Sequence, residues 1–384
     1  MSRTLAALTA ALLLLACAGH HPAPRRSLFP STASWKTLLG EFVVPPLAGD
    51  SRRLYAATRD EVVRALDPQT GEVAWKAEGL PGTLSAADGT LLVRGDDGTL
   101  TSLQPRSGRT RWRVQTPIGG ALPAMIDGDR ALLAGRGGLA AVELASGRLL
   151  WTAAGVEVTA PPARAGARLL TGESDGALRC RDRATGAVLW TLATRRALLA
   201  PPLVDPVRRR LYLGTADRRV LEARLDDGKT GWSWTVGADV ADPGLLLNER
   251  VLFAPLDAVL YSFKQGGNLA WRRSLPSRPL SGPLVVDGYL VIACLEAELL
   301  AFDLQTGKPA GSVRVTADPR VVIRTAPVAV GPVLALGLSD RSVVAFPASS
   351  AALPTPAAAP EAAKPEEAKP APEAPKVEAP PPGR

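Results

Sequence analysis

Histidine is almost absent from this 384-residue chain: His20 and His21 are the only two, and both fall just after an N-terminal apolar segment. A Ser-His-Asp triad or a histidine-ligated metal inside a folded body is thereby excluded. Cysteine is nearly as scarce, with Cys17, Cys180 and Cys294 and no adjacent pair. No apolar run reaches the roughly 20 residues that a membrane-spanning helix needs, and no long segment repeats with helical period. What remains is 46% hydrophobic and 21% charged, a balance that buries a substantial core and excludes disorder throughout.

The first residues read as an export signal. Arg3 supplies a positive start and Leu5 to Ala16 form a short apolar stretch. The segment ends Leu14-Leu15-Ala16-Cys17, which resembles the lipobox of bacterial lipoproteins, where cleavage before the cysteine leaves a thiol that is acylated. That resemblance makes Cys17 the lipid attachment site, and Ala18 in place of an aspartate implies onward transport to the outer membrane. Several acyl chains on one residue anchor stably where one would not. Export also decides how the net charge of +8 is read. Outside the cytoplasm a basic chain meets lipid, cell wall and envelope proteins, so nucleic acid is not expected as a partner.

The strongest signal is an internal repeat. Six Gly-x-x-x-Trp units occur at Gly71 and Trp75, Gly108 and Trp112, Gly147 and Trp151, Gly186 and Trp190, Gly228 and Trp232, and Gly267 and Trp271. A seventh has Gly307 but carries Gly311 where the tryptophan should be. Successive glycines lie 37, 39, 39, 42, 39 and 40 residues apart, and Trp35 lies one period before Trp75. Each period holds turn signals such as Asp67-Pro68-Gln69-Thr70-Gly71 and Asp97-Gly98 between short apolar runs, which divides it into four strands.

Four antiparallel strands per period of about 40 residues make the blade of a β-propeller. A blade cannot cover both of its faces alone, so blades stack into a ring that closes on itself. The tryptophans Trp35, Trp75, Trp112, Trp151, Trp190, Trp232 and Trp271 are therefore expected to dock each blade on its neighbour. Residues 327–347 hold three strands of a last unit that lacks a fourth, and Ser34 to Leu39 with Trp35 is its natural supplier. The expected fold is all-β: an eight-bladed propeller over 31–347, closed by an N-terminal strand. It follows a signal at 1–16 and an anchor linker at 17–30, and precedes a disordered tail of Ala, Pro, Glu and Lys from 348 to 384.

The run Ala65-Leu66-Asp67-Pro68-Gln69-Thr70-Gly71-Glu72-Val73-Ala74-Trp75 resembles the tryptophan-docking repeat of pyrroloquinoline-quinone (PQQ) dehydrogenases and their non-enzymatic relatives. No Trp-Asp dipeptide occurs, so the chain does not resemble WD40 repeats. The quinone enzymes hold their cofactor with calcium through Glu, Asn and Asp. Here asparagine occurs only as Asn248 and Asn268, which leaves little to build that site, and Cys180 fills a packing slot held by Ala65, Ala141 and Ala301 elsewhere. No catalytic residue, cofactor or metal site is assigned, and the chain is not expected to be an enzyme.

Anchor, blade count and the missing seventh tryptophan all resemble the BAM-complex propeller lipoproteins (BamB-like). The resemblance implies a monomeric scaffold on the periplasmic side of the outer membrane that supports assembly and insertion of outer-membrane β-barrel proteins. Its partner would be the periplasmic domains of the barrel-assembly protein, docked through loops that follow the outer strands of two adjacent blades. Carried over residue by residue, those loops offer Arg196 before Pro201, and Asp239 and Asp242, with Arg218 and Arg219 expected on the same face. Ala193 and Arg195 stand where the family has leucines. Two other readings stay open: a periplasmic propeller that binds another envelope complex or a small ligand, and a quinone-dependent dehydrogenase.

Overall fold

The computed structural model describes residues 32–87, 89–247 and 249–348; the signal, Cys17, His20, His21 and the tail from 349 lie outside the described residues. Eight sheets of four antiparallel strands are arranged as expected, with no helix among the described residues. In blades 1 to 7 the strands follow in chain order, as in blade 2 with Thr83–Ala87, Thr90–Arg94, Thr99–Leu103 and Thr110–Gln115. First strands of neighbouring blades approach one another around the axis. Second and third strands such as Leu54–Thr58 and Val63–Leu66 are buried at every position, because a blade lies against each face. Fourth strands such as Thr110–Gln115 are the solvent-facing edge, and there half-buried and exposed positions alternate.

Blade 8 is composite. Its first three strands are Val328–Val330, Val333–Gly337 and Ser342–Pro347, and its fourth is Trp35–Leu38 from the other end of the described chain. Trp35 faces Ala345 and Leu38 faces Ser342 in an antiparallel ladder, so the ring is closed by hydrogen bonds between residues 304 to 310 positions apart.

The docking role of the tryptophans follows from the turn between third and fourth strands. In blade 1 the Asp67 carboxylate accepts from the N–H groups of Gln69 (2.8 Å) and Thr70 (3.2 Å), which holds that carboxyl below its ordinary pKa. The turn ends at Gly71 with φ +75°, a conformation costly for any residue with a Cβ. The bare Gly71 Cα also receives the Trp35 ring of blade 8, and an added Cβ would lie 2.6 Å from it. The same contact recurs at Gly108, Gly147, Gly186, Gly228, Gly267 and Gly307, each beneath the tryptophan of the preceding blade. Indole N–H groups then donate to turn carbonyls across the junction, Trp35 to Pro68 (2.9 Å), Trp75 to Pro105 (2.9 Å) and Trp112 to Leu144 (2.8 Å). In blades 1, 2, 3, 4 and 6 the tryptophan meets a small residue across its own blade, Ala65, Ser102, Ala141, Cys180 or Ser262, beside a β-bulge. Blade 5 departs from this rule: Glu222 occupies the slot, paired with Arg210 at 3.0 Å.

Eight apolar clusters fill the eight junctions, one each. The smallest lies between blades 3 and 4. That junction is polar instead: the fully buried Asp127 of blade 3 pairs with Arg164 and Arg183 of blade 4, and the Trp151 indole N–H has no partner.

Candidate functional site

The antiparallel order puts two sets of connections on one face of the ring: the turns between second and third strands, and the loops from each fourth strand to the next blade. On blades 4 and 5 these are the turns at 174–176 and 215–218 and the loops at 194–202 and 236–244. Together they form an open depression of about 520 Å³, lined among others by Asp175, Arg195, Arg196, Asp217, Arg218 and Asp239.

The loops are held by apolar plugs. Leu198 and Val240 are buried in the adjoining junctions, seated over Gly172 and Gly214, where an added Cβ would approach to 2.5 and 2.2 Å. Thr194 fixes the start of the first loop: its N–H donates to the Gly176 carbonyl (2.8 Å) and its hydroxyl donates to the Arg196 carbonyl (2.9 Å). The Arg218 carbonyl accepts from Val236 N–H (2.9 Å), tying the turn to the second loop. Arg195 and Arg218 sit at φ +67° and +60°, left-handed conformations that side-chain-bearing residues rarely adopt and that surrounding bonds must hold.

Charge in the depression divides into engaged and free groups. The Asp175 carboxylate pairs with Arg179 at 2.6 Å and is held below its ordinary pKa by that guanidinium. Asp217 accepts from Arg219 Nε (2.8 Å). Arg195, Arg196 and Arg218 are exposed, and among the described residues no carboxylate pairs with them. With two of its three carboxylates engaged, the depression presents excess positive charge beside the half-buried Asp239.

The structure thus brings Arg196, Arg218 and Asp239 together. It does not present Arg219 in the same way: that side chain turns back to Asp217 and to the Thr194 carbonyl (2.9 Å). Ion pairs this accessible contribute about 0–1 kcal/mol, so Arg219 orients the turn more than it stabilises it. Asp242 does not line the depression, and burial without a cationic partner pushes its carboxyl up to about 6. Arg195, Asp175 and Asp217 belong to the site although sequence reasoning did not select them. The Asp-x-x-x-Arg spacing of Asp175 and Arg179 across a tight hairpin is the signal for one of these pairs.

Elsewhere, Cys180 and Cys294 are buried free thiols, pushed up to about 11 and about 12 by loss of solvent, which leaves them unreactive. Among the described residues no three His, Cys, Asp or Glu side chains cluster as a metal site would require.

A family described as outer membrane protein assembly factor BamB matches the chain over residues 31–157, 135–242 and 233–361. No curated protein sequence matches it. Among solved structures, BamB from Moraxella catarrhalis is similar at 20% identity and a TM-score of 0.68, with 83% of this chain and 98% of that chain covered. The computationally designed Ika8 protein is similar at 15% identity and a TM-score of 0.69, covering 83% and 98%. The C-terminal WD40 domain of Sif2 is similar at 9% identity and a TM-score of 0.70, covering 83% and 99%. At these identities the structural likenesses carry the propeller fold alone.

Proposed function

From the premise that the chain belongs to the BamB outer-membrane assembly factor family, we propose that it is a non-enzymatic scaffold lipoprotein on the periplasmic face of the outer membrane. It supports assembly and insertion of outer-membrane β-barrel proteins through protein contacts and needs no cofactor. Cys17 carries the lipid, and the partner is the periplasmic portion of the barrel-assembly protein. The observation that carries this reading is the convergence of unpaired Arg196 and Arg218 with Asp239 on loops plugged into the ring by Leu198 and Val240. A rigid, charged rim of this kind steers association and sets orientation. Loops anchored in advance lose little freedom on binding.

The test is the affinity of the full mature chain for the purified periplasmic domains. The double variant Arg196→Glu and Arg218→Glu is expected to weaken binding at least tenfold while leaving the melting temperature unchanged. Absence of binding by the unaltered chain would move the function to the other reading, a propeller module for a different envelope component.

A further inference from the structure

Every fourth strand of the ring is an edge, hydrogen-bonded on one side only. Natural sheets block such edges with charge, above all lysine, because the free N–H and C=O groups invite another strand. Five of the eight edges follow that rule: Lys36, Lys76, Arg111 with Arg113, Arg272 with Arg273, and Arg314 lie in the fourth strands of blades 8, 1, 2, 6 and 7. The remaining three are consecutive, and none carries a charge: Leu149–Ala154, Val188–Ala193 and Thr230–Thr235 in blades 3, 4 and 5.

Exposed apolar surface gathers on the same arc. Of the nine strongly exposed large apolar side chains among the described residues, seven fall between Leu149 and Trp234. Blade 4 is the centre, with Val188 and Leu189 at 48% and 53% exposure on an edge that has neither glycine nor proline. Along it Trp190 and Leu192 turn inward, while Leu189, Thr191 and Ala193 face out. Thr194 N–H donates inward to Gly176, so by the two-residue alternation the N–H groups of Thr191 and Ala193, on the regular stretch after the bulge at Leu189, point away from the sheet. An occupant must therefore bring an extended backbone, and opposite an uncharged, apolar edge it must itself be uncharged with apolar residues at alternate positions. That is the chemistry of a membrane-barrel strand before it has paired.

We propose that Val188–Ala193 accepts such a segment as a fifth strand of blade 4, by β-strand addition. Naming the segment as a barrel strand rests on the assembly reading above; the edge itself is separate from the Arg196 and Arg218 depression, which begins two residues beyond Ala193.

The test uses the full mature chain and a labelled ten-residue peptide of alternating valine and threonine, with a control in which alternate valines become lysine. Binding of the valine peptide is expected, with slowed exchange of the Thr191 and Ala193 amides. Leu189→Lys with Thr191→Lys, which installs the protection seen on the other edges, should weaken it at least tenfold. Arg196→Glu with Arg218→Glu should leave it unchanged. Absence of amide protection, or equal binding by the lysine-edged variant, overturns the proposal even if the periplasmic domains bind as described. Equal binding of the lysine-substituted peptide overturns the stated chemistry of the occupant.

Discussion

Between blades 2 and 3 the Trp112 ring lies on Gly147 and donates to Leu144, and the buried Arg94 guanidinium donates to the carbonyls of Leu122 (2.6 Å) and Ala134 (2.8 Å). Between blades 7 and 8 there is no tryptophan, and sixteen buried residues, among them Leu299, Leu336 and Phe346, form the largest apolar cluster of the ring. Both features of that second junction have one cause. The turn that would receive a tryptophan joins third and fourth strands, and in blade 8 those strands come from opposite ends of the described chain. With no Thr-Gly turn beneath it, an indole at position 311 would have no seat, so Gly311 is found there and aliphatic packing carries the contact. The tryptophan dock is thus one of two ways of holding neighbouring blades, used wherever the chain turns and omitted where it ends.

The largest effect should come from destroying the closure itself. Removing residues through Leu39 takes away four ladder partners and the Trp35 dock, and loss of at least about 5 kcal/mol, most of a typical domain's stability, is expected in urea unfolding followed by fluorescence. Next, Trp112→Ala and Leu336→Ala attack the two kinds of junction. Each should cost about 3–5 kcal/mol by the same measurement, and a much smaller loss at Leu336 would show that the undocked junction is the weaker one.

A titration separates the loop face from these junctions. The Asp242 carboxyl is raised to about 6 in the folded chain, so its contribution is fully present below its unfolded value near 4 and is lost as pH rises through about 6. Asp242→Asn should flatten stability across that window and gain about 1–2 kcal/mol at pH 7, read from midpoints at pH 4 and pH 7. The smallest effect is reserved for Gly311→Trp. Restoring the repeat without a receiving turn should bring no stabilisation and cost about 1 kcal/mol, because Gly311 sits at φ +154°, a conformation unfavourable for a residue with a Cβ; a clear gain would mean that blade 8 can seat an indole after all.

The fold was legible because its constraints are steric and periodic. A glycine four residues before a tryptophan recurs since the glycine must be bare to take one ring and the tryptophan must reach the next glycine. Closure was legible for the same reason, as Trp35 had no blade of its own. The site was less legible. Arg218 and Arg219 are neighbours of the same type, yet one sits at positive φ with its side chain exposed while the other opens a strand and folds back on Asp217. Asp239 and Asp242 flank the buried Val240, and only the first carboxylate lines the depression. Such differences arise from how a loop packs, which no spacing rule encodes. Glu222 in a slot read as small was likewise invisible, since Arg210 lies on the adjacent strand and compensates it.

The proposed docking surface for the assembly partner is the depression over blades 4 and 5. Amide hydrogen exchange on the full mature chain, with and without the periplasmic domains of the barrel-assembly protein, tests it most directly. Slowed exchange confined to residues 194–198, 215–219 and 236–240, with the opposite-face turns at 67–71 and 182–186 unchanged, is the predicted result. Protection on those opposite turns, or none at 194–198 and 215–219 when the domains are bound, would contradict it.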